Sequence, residues 1–158
     1  MVKGFRGVMI GFLVILLSIG VLSVSEKYLP SPFNTNAFDV HSPGDWIKED
    51  QIKVYSQRIL INIPNASWSS FTDTNSMDPF LDIGANAIQI KPVNPFNISS
   101  GDIISFNTTQ GLIVHRVIER GEDELGTYYI VKGDNNPLQD PQKVRFEQIT
   151  GVVVAIIY

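Results

Sequence analysis

An uncharged, apolar run from residue 7 to residue 24 constrains this chain more than any other feature of its sequence. Val, Ile, Leu, Phe and Met dominate the run, and it lacks the polar face that an amphipathic surface helix carries. At 1.5 Å per residue it would form a helix about 27 Å long, close to the thickness of the hydrocarbon core of a bilayer. We therefore predict a transmembrane anchor over residues 7–24.

The charges on either side of this run predict its orientation. Lys3 and Arg6 precede it, and the first acidic residue, Glu26, follows it. By the positive-inside tendency the N-terminus stays in the cytoplasm, and the body of a single-pass cell-membrane protein lies outside. A cleavable signal peptide is the alternative, because Ser23-Val24-Ser25 resembles a small-residue cleavage site, but the apolar run is longer than a usual signal-peptide core.

The rest of the chain predicts a mostly β body that follows an irregular spacer. Residues 25–46 are rich in Pro, Asn and Ser and predict a spacer with little regular structure. Short apolar segments with almost no helical periodicity indicate a β-rich domain over residues 47–158. We expect an N-terminal hairpin over residues 52–63 and an acidic turn over residues 121–126. Further strands are expected at residues 68–71, 87–91, 102–106, 112–118, 128–131 and 151–158.

Composition limits the chemistry and the partners. The chain has no cysteine, which rules out disulfides, thiol catalysis and cysteine-ligated metal. Its net charge is −4, and it contains no basic block, so we expect no nucleic-acid partner.

Three short segments read as parts of one site. They are residues 74–79 (Thr-Asn-Ser-Met-Asp-Pro), residues 114–118 (Val-His-Arg-Val-Ile) and residues 132–140 (Lys-Gly-Asp-Asn-Asn-Pro-Leu-Gln-Asp). In that order they offer a hydroxyl nucleophile, an imidazole base and carboxylates that could orient the base, as covalent catalysis by serine requires. The chain has 2 histidines; we assign no role to His41, which lies in the spacer, and take His115 as the candidate base.

Each segment alone has an ordinary structural explanation. Ser76 lies in a run of turn-forming residues, and Gly-Asp-Asn-Asn around Asp134 is itself a strong turn sequence. His115 shares one face of an expected strand with Ile113 and Val117, where a lone histidine is usually part of the core. The three segments together favour a catalytic site.

Taken together, the segments resemble the catalytic boxes of type I signal peptidases in the archaeal and endoplasmic-reticulum branch. In that family Ser-Met-x-Pro carries the nucleophile, and His-Arg-Val-Ile carries a histidine where the bacterial branch has a lysine. Gly-Asp-Asn-Asn, with a second Asp six residues later, supplies the acid. The resemblance covers residues 68–158 and the N-terminal anchor. It implies a signal-peptidase-like β-barrel or β-sheet catalytic domain.

The resemblance also implies a role for each site residue. Ser76 would be the nucleophile and His115 its general base. Asp140 would orient His115 while Asp134 shapes the loop, although the reverse assignment of the two acids stays open. The hydroxyl of Thr74 and the backbone amide of Ser76 would stabilise the oxyanion. No metal and no cofactor are implied.

The implied function is a membrane-anchored serine endopeptidase that cleaves signal peptides from exported preproteins after small residues. Its partners would be signal-peptide-bearing preproteins, membrane lipid and the protein-export channel. The strand over Trp68 to Phe71 would be the exposed edge that receives the substrate.

Two departures from the family pattern keep an alternative open. Phe80 follows Pro79 where a small or polar residue is usual, and residues 84–87 read Gly-Ala-Asn-Ala where Gly-Asp is common. The alternative is a catalytically inactive extracellular binding or assembly module, although an inactive site would have no reason to keep Ser, His and both acids. A self-cleaving repressor-type peptidase with a lysine base is a more distant alternative, and the membrane segment and the acidic body oppose it.

Overall fold

The computed structural model describes residues 40–158, and this part of the chain is mostly β, as the sequence predicts. Its strands form two separate antiparallel sheets, of two and seven strands. Within residues 40–158 no helix has the length and apolar character needed to cross a bilayer. The predicted anchor at residues 7–24 and the spacer up to residue 39 lie outside the described residues.

The strands are numbered in chain order. They are β1 (Ile52–Val54), β2 (Ile59–Ile61), β3 (Ala66–Ser70), β4 (Asn86–Ile90), β5 (Ile103–Thr108), β6 (Gly111–Asp123), β7 (Gly126–Lys132), β8 (Val144–Arg145) and β9 (Ile149–Ile157). Single turns of 3₁₀ helix occupy Glu49–Gln51, Pro95–Asn97 and Phe146–Gln148. β1 pairs with β2 within the range where a hairpin is expected, and the larger sheet has the order β3-β4-β9-β5-β6-β7-β8.

The middle strands of the larger sheet are covered on both faces. On β5, Ile104 and Phe106 join one apolar cluster, whereas Ile103 joins a second cluster on the opposite face. On β9, Val152 and Val153 divide between the same two clusters. Successive side chains of a strand point to opposite faces, so a strand buried on both sides needs a continuous apolar run rather than an alternating one.

The predicted turn at residues 121–126 is wrong in its extent. β6 continues to Asp123, which pairs with Gly126, so only two residues lie between the strands. Gly126 has a φ of +95°, which a glycine adopts without strain. The Asp123 carboxylate accepts a hydrogen bond from the Leu125 N–H (3.0 Å) and closes the turn locally. Acidic residues are typical of turns, but here the Asp123 side chain closes the turn within two residues, and the backbone up to residue 123 stays in β6.

The end of the predicted spacer is bonded to the domain. The fully buried Asp102 accepts hydrogen bonds from the Gly44 N–H (2.7 Å), the Trp46 indole N–H (3.0 Å) and the Ser99 N–H (2.8 Å). A buried carboxylate is costly unless such donors satisfy it. Residues 40–46 have no regular structure, but these contacts hold them against the larger sheet.

Candidate active site

The turn that contains Ser76 is held in place by its neighbour, Met77. The Met77 side chain is buried with Leu81 and Ala87 against one face of the larger sheet, and its carbonyl accepts the Leu81 N–H (3.1 Å). Asn75, just before Ser76, has a φ of +55° in the left-handed region. With Met77 fixed in the core, the half-buried Ser76 faces a cavity and shares a hydrogen bond of 3.3 Å with the Thr74 hydroxyl.

The loop after β7 lies directly against this turn. The Asn135 N–H donates to the Ser76 carbonyl (3.0 Å), and the Asn135 side-chain amide donates to the Asn75 carbonyl (2.9 Å). Gly133 makes this contact possible, since a Cβ at that position would lie 2.5 Å from the Ser76 carbonyl oxygen. Two segments far apart in the sequence are therefore joined backbone to backbone at the candidate nucleophile.

His115 lies in β6 and is almost fully buried. Its ring packs edge-on against Phe106, and its Nδ1 lies 2.8 Å from Asp140 Oδ2. The Asp140 backbone is itself fixed, because its N–H donates to the Val131 carbonyl (2.8 Å). An ionised carboxylate can only accept a hydrogen bond, so the proton of a neutral His115 resides on Nδ1 and its Nε2 keeps a lone pair.

Asp134 contacts Arg116 instead of His115. Arg116 Nε and Nη2 donate to the two carboxylate oxygens at 2.7 and 2.6 Å, and Nη1 donates to the Gly101 carbonyl at 2.8 Å. The side chains of Asp134 and Arg116 are only 15% and 17% exposed, so each charge depends on the other for its partner. Asp134 thereby fixes the start of the loop, and Asp140, at its end, reaches the imidazole.

Ser76 and His115 line the same cavity, which has a volume of about 300 Å³. No hydrogen bond joins their side chains in the part of the chain that the structure describes, where the Ser76 hydroxyl is bonded to Thr74. The other residues around the cavity are mostly apolar: Phe71, Met77, Leu81, Leu112, Ile113 and Val114, with Thr72, Thr74 and Asn136. The cavity is therefore lined by an alcohol and an imidazole, between mostly apolar walls.

Residues 40–158 contain no group of three or more His, Cys, Asp or Glu side chains placed to bind a metal ion. Of the acids in the loop after β7, Asp140 pairs with His115 and Asp134 pairs with Arg116.

Comparisons with known proteins give one short match. No family model and no solved structure matches this chain. Over 44 residues the chain is 46% identical to an uncharacterised protein of Methanocaldococcus jannaschii, a stretch that covers 28% of this chain and 22% of that protein. A match of this extent shows no family.

Three features of the site were not identified from the sequence. Asn136 lines the cavity, Arg116 neutralises Asp134, and Gly133 allows the loop to touch the Ser76 turn. The alternation of β6 places Arg116 on the face opposite His115, but it does not identify Asp134 as the partner of Arg116. The roles of Gly133 and Asn136 depend on the path of an irregular loop, which no periodic pattern encodes.

Proposed function

We propose that this protein is a membrane-anchored serine endopeptidase that removes signal peptides from exported preproteins. The observation on which the proposal rests is the hydrogen bond between His115 and Asp140, at the wall of the cavity that also contains Ser76. The three residues come from segments that resemble the catalytic boxes of type I signal peptidases, in the family order. In this proposal residues 47–158 are a signal-peptidase-like catalytic domain held at the outer face of the cell membrane by residues 7–24.

In the proposed reaction Ser76 Oγ attacks the scissile carbonyl carbon while His115 Nε2 takes its proton. The imidazolium, stabilised by Asp140, then gives the proton to the departing amine. This breaks the C–N bond and leaves an ester on Ser76. A water molecule next loses a proton to His115 and attacks the ester carbonyl carbon, and the imidazolium returns that proton to Ser76 Oγ as the ester C–O bond breaks. This second step releases the signal peptide and restores the serine.

Stabilisation of the tetrahedral oxyanion would come from the Ser76 amide and the Thr74 hydroxyl. The Thr74 hydroxyl lies 3.3 Å from Ser76 Oγ, close enough to reach an oxyanion formed on the carbonyl that Ser76 would attack. Donors fixed in place before the reaction need no reorganisation as the negative charge develops.

The substrate would bind as an added strand on β3. This strand is one edge of the larger sheet and pairs on one side only, with β4. Phe71, immediately after β3, already lines the cavity, so a peptide along β3 would lead its scissile bond towards Ser76. Main-chain hydrogen bonds would set the register. Alternate side chains of the peptide face the same way, so two of them would point at the apolar wall of the cavity. We expect small residues at these two positions.

A processing assay on the full chain in lipid vesicles tests this function, with a preprotein that carries a signal peptide as substrate. The wild-type protein is expected to release the mature protein, and Ser76→Ala and His115→Ala are each expected to remain folded and release none. Ser99→Ala is the matched control, because Ser99 is exposed, lies outside the strands and does not line the cavity, so its replacement should not affect cleavage. Cleavage by Ser76→Ala at the wild-type rate would contradict the proposal.

One observation favours the alternative of an inactive binding or assembly module. The Ser76 hydroxyl is hydrogen-bonded to Thr74 and not to His115 among residues 40–158. In unliganded serine hydrolases this catalytic hydrogen bond can be long and tighten when substrate binds, which leaves the enzyme as the leading proposal. A module of this kind would bind the preprotein with the same affinity in the wild type and in Ser76→Ala and would cleave it in neither.

A further inference from the structure

The β1–β2 hairpin stands apart from the rest of the described domain. Its two strands pair only with each other, and every residue in them is exposed. A two-stranded hairpin is only marginally stable in water without a packing partner. At the base of the hairpin, the Asn62 N–H donates to the Gln51 carbonyl (2.9 Å). The Gln51 side-chain amide donates to the Asn62 carbonyl (2.8 Å).

The register of the hairpin places four of the five aliphatic side chains of its strands on one face, and the fifth, Leu60, on the other. Ile52 lies opposite Ile61, and Val54 lies opposite Ile59, so these four side chains point the same way. Val54 is 74% exposed and Ile59 is 64% exposed. Lys53 and Leu60 form the opposite face. A contiguous aliphatic face of this kind on an exposed hairpin marks an interaction surface.

The charges of the hairpin differ from those of the whole chain. Residues 52–63 include Lys53 and Arg58 and no acidic residue, although the chain as a whole has a net charge of −4. The Arg58 guanidinium lies 5.0 Å from the centre of the Tyr55 ring at the turn of the hairpin. Aliphatic residues beside an aromatic ring and two cations match the composition of segments that lie at a membrane surface, and the cations complement anionic lipid headgroups.

We propose that this hairpin docks into the headgroup region of an anionic bilayer, with its aliphatic face towards the acyl chains. The apolar run at residues 7–24 would keep the domain beside the bilayer. Interfacial segments typically bury such an apolar face about 5–10 Å into the boundary between headgroups and acyl chains. The two short strands of the hairpin also offer far less area than the roughly 800 Å² per partner of a stable protein interface, which argues against a second copy as the occupant.

This contact goes beyond the proposed peptidase activity, because it gives the domain a second attachment to lipid besides the predicted anchor. The contact would restrict how the domain tilts at the membrane. It depends on the hairpin and not on Ser76, His115 or Asp140. Loss of lipid contact at the hairpin and loss of cleavage are therefore separate observations.

The absence of cysteine allows a direct test on the full chain. A fluorophore is attached to a single cysteine at Val54→Cys, and the protein is reconstituted in equimolar phosphatidylcholine and phosphatidylglycerol with brominated acyl chains as quenchers. Leu125→Cys is the control, since this residue is 83% exposed in the β6–β7 turn. The label at residue 54 is expected to be quenched several-fold more than the label at residue 125. Equal quenching at the two positions, or none at residue 54, would overturn the proposal.

A second pair of variants tests whether Lys53 and Arg58 contribute to the contact with lipid. Lys53→Gln/Arg58→Gln is expected to lower the quenching at residue 54 several-fold, whereas Lys91→Gln/Arg120→Gln, with the same change in net charge, leaves it unchanged. Equal effects of the two pairs would overturn the assignment to anionic lipid at the hairpin. Rapid disulfide formation between two unlabelled Val54→Cys chains, without lipid quenching of the labelled protein, would assign the face to a second copy and also overturn the proposal.

Discussion

His115 Nδ1 lies 2.8 Å from Asp140 Oδ2, while Arg116, the next residue along β6, holds Asp134 in a two-point ion pair. Neighbouring residues of a strand point to opposite faces, so the loop after β7 contacts both faces of β6. The acid at the start of the loop fixes its position, and the acid at its end contacts the imidazole. The two acids should therefore respond differently to mutation.

Replacement of the acid at the imidazole should affect the reaction and not the fold. In Asp140→Asn the side-chain amide can donate to Nδ1, which would leave the proton on Nε2 and remove the base. We expect kcat for preprotein cleavage to fall on the order of a thousandfold or more, with an unchanged thermal midpoint. Cleavage within a fewfold of the wild-type rate would contradict the role of Asp140.

Replacement of the other acid should affect stability. Asp134→Asn leaves the Arg116 guanidinium partly buried without its counter-charge, and we expect a loss of about 3 kcal/mol in the free energy of unfolding. Urea denaturation measures this loss. The double variant Asp134→Asn/Arg116→Gln should recover part of it, because no unpaired charge remains. An unfolding midpoint equal to that of the wild type in Asp134→Asn would contradict this assignment.

Gly133 should be intolerant of a side chain because the Ser76 backbone lies against it. In Gly133→Ala the added methyl would meet the Ser76 carbonyl oxygen at 2.5 Å, so the turn or the loop must move. A shift of about 1 Å at a nucleophile typically costs on the order of a hundredfold in rate. Gly44→Ala is the control, since its nearest neighbour, Trp46 Nε1, would be at an ordinary 3.4 Å. Equal activity of the two variants would argue against close positioning of Ser76 by the loop.

The Thr74 hydroxyl should stabilise the transition state. Thr74→Val keeps the shape of the side chain and removes the donor, and we expect kcat to fall on the order of a hundredfold with little change in KM. Thr74→Ser retains the hydroxyl and should keep most of the activity. A rise in KM alone in Thr74→Val would instead indicate a role in binding the substrate.

Alkaline pH should destabilise the domain through Tyr129. This side chain is fully buried, and its hydroxyl donates to the Pro95 carbonyl (2.6 Å). Burial raises its pKa to about 12 from the ordinary value of 10.0. The unfolded chain therefore loses this proton first, so stability is fully present below about pH 10 and declines as the pH rises towards 12. Tyr129→Phe should show a shallower decline in urea midpoints over this range, and an equal slope would contradict the assignment.

The β class and many of the strand positions follow from short apolar segments, but the two-sided burial of β5 and β9 does not. Ile103 and Ile104 carry similar side chains, and only the arrangement of the sheet shows that they enter different clusters. The sequence predicts too short a β6, because it does not show that the Asp123 side chain closes a turn of two residues.

The site could be expected from its three segments, while the contacts between them could not. Asp134 and Asp140 have the same chemistry and lie in one irregular loop, so the sequence leaves their roles open. The path of the backbone decides which acid reaches His115. The contact between Gly133 and Ser76 likewise depends on tertiary packing and has no periodic signature.

Covalent catalysis by Ser76 is tested by the detection of an acyl group on this residue. The full chain in lipid vesicles is mixed with a preprotein, quenched in acid within the first turnover and mapped by mass spectrometry. If Ser76 is the nucleophile, the sample contains an ester at Ser76. The mass added to this residue equals the mass of the released signal peptide less the elements of water. The ester is expected to be absent in His115→Ala. Cleaved preprotein with no modification at Ser76, or with the acyl group on another residue, would contradict covalent catalysis by Ser76.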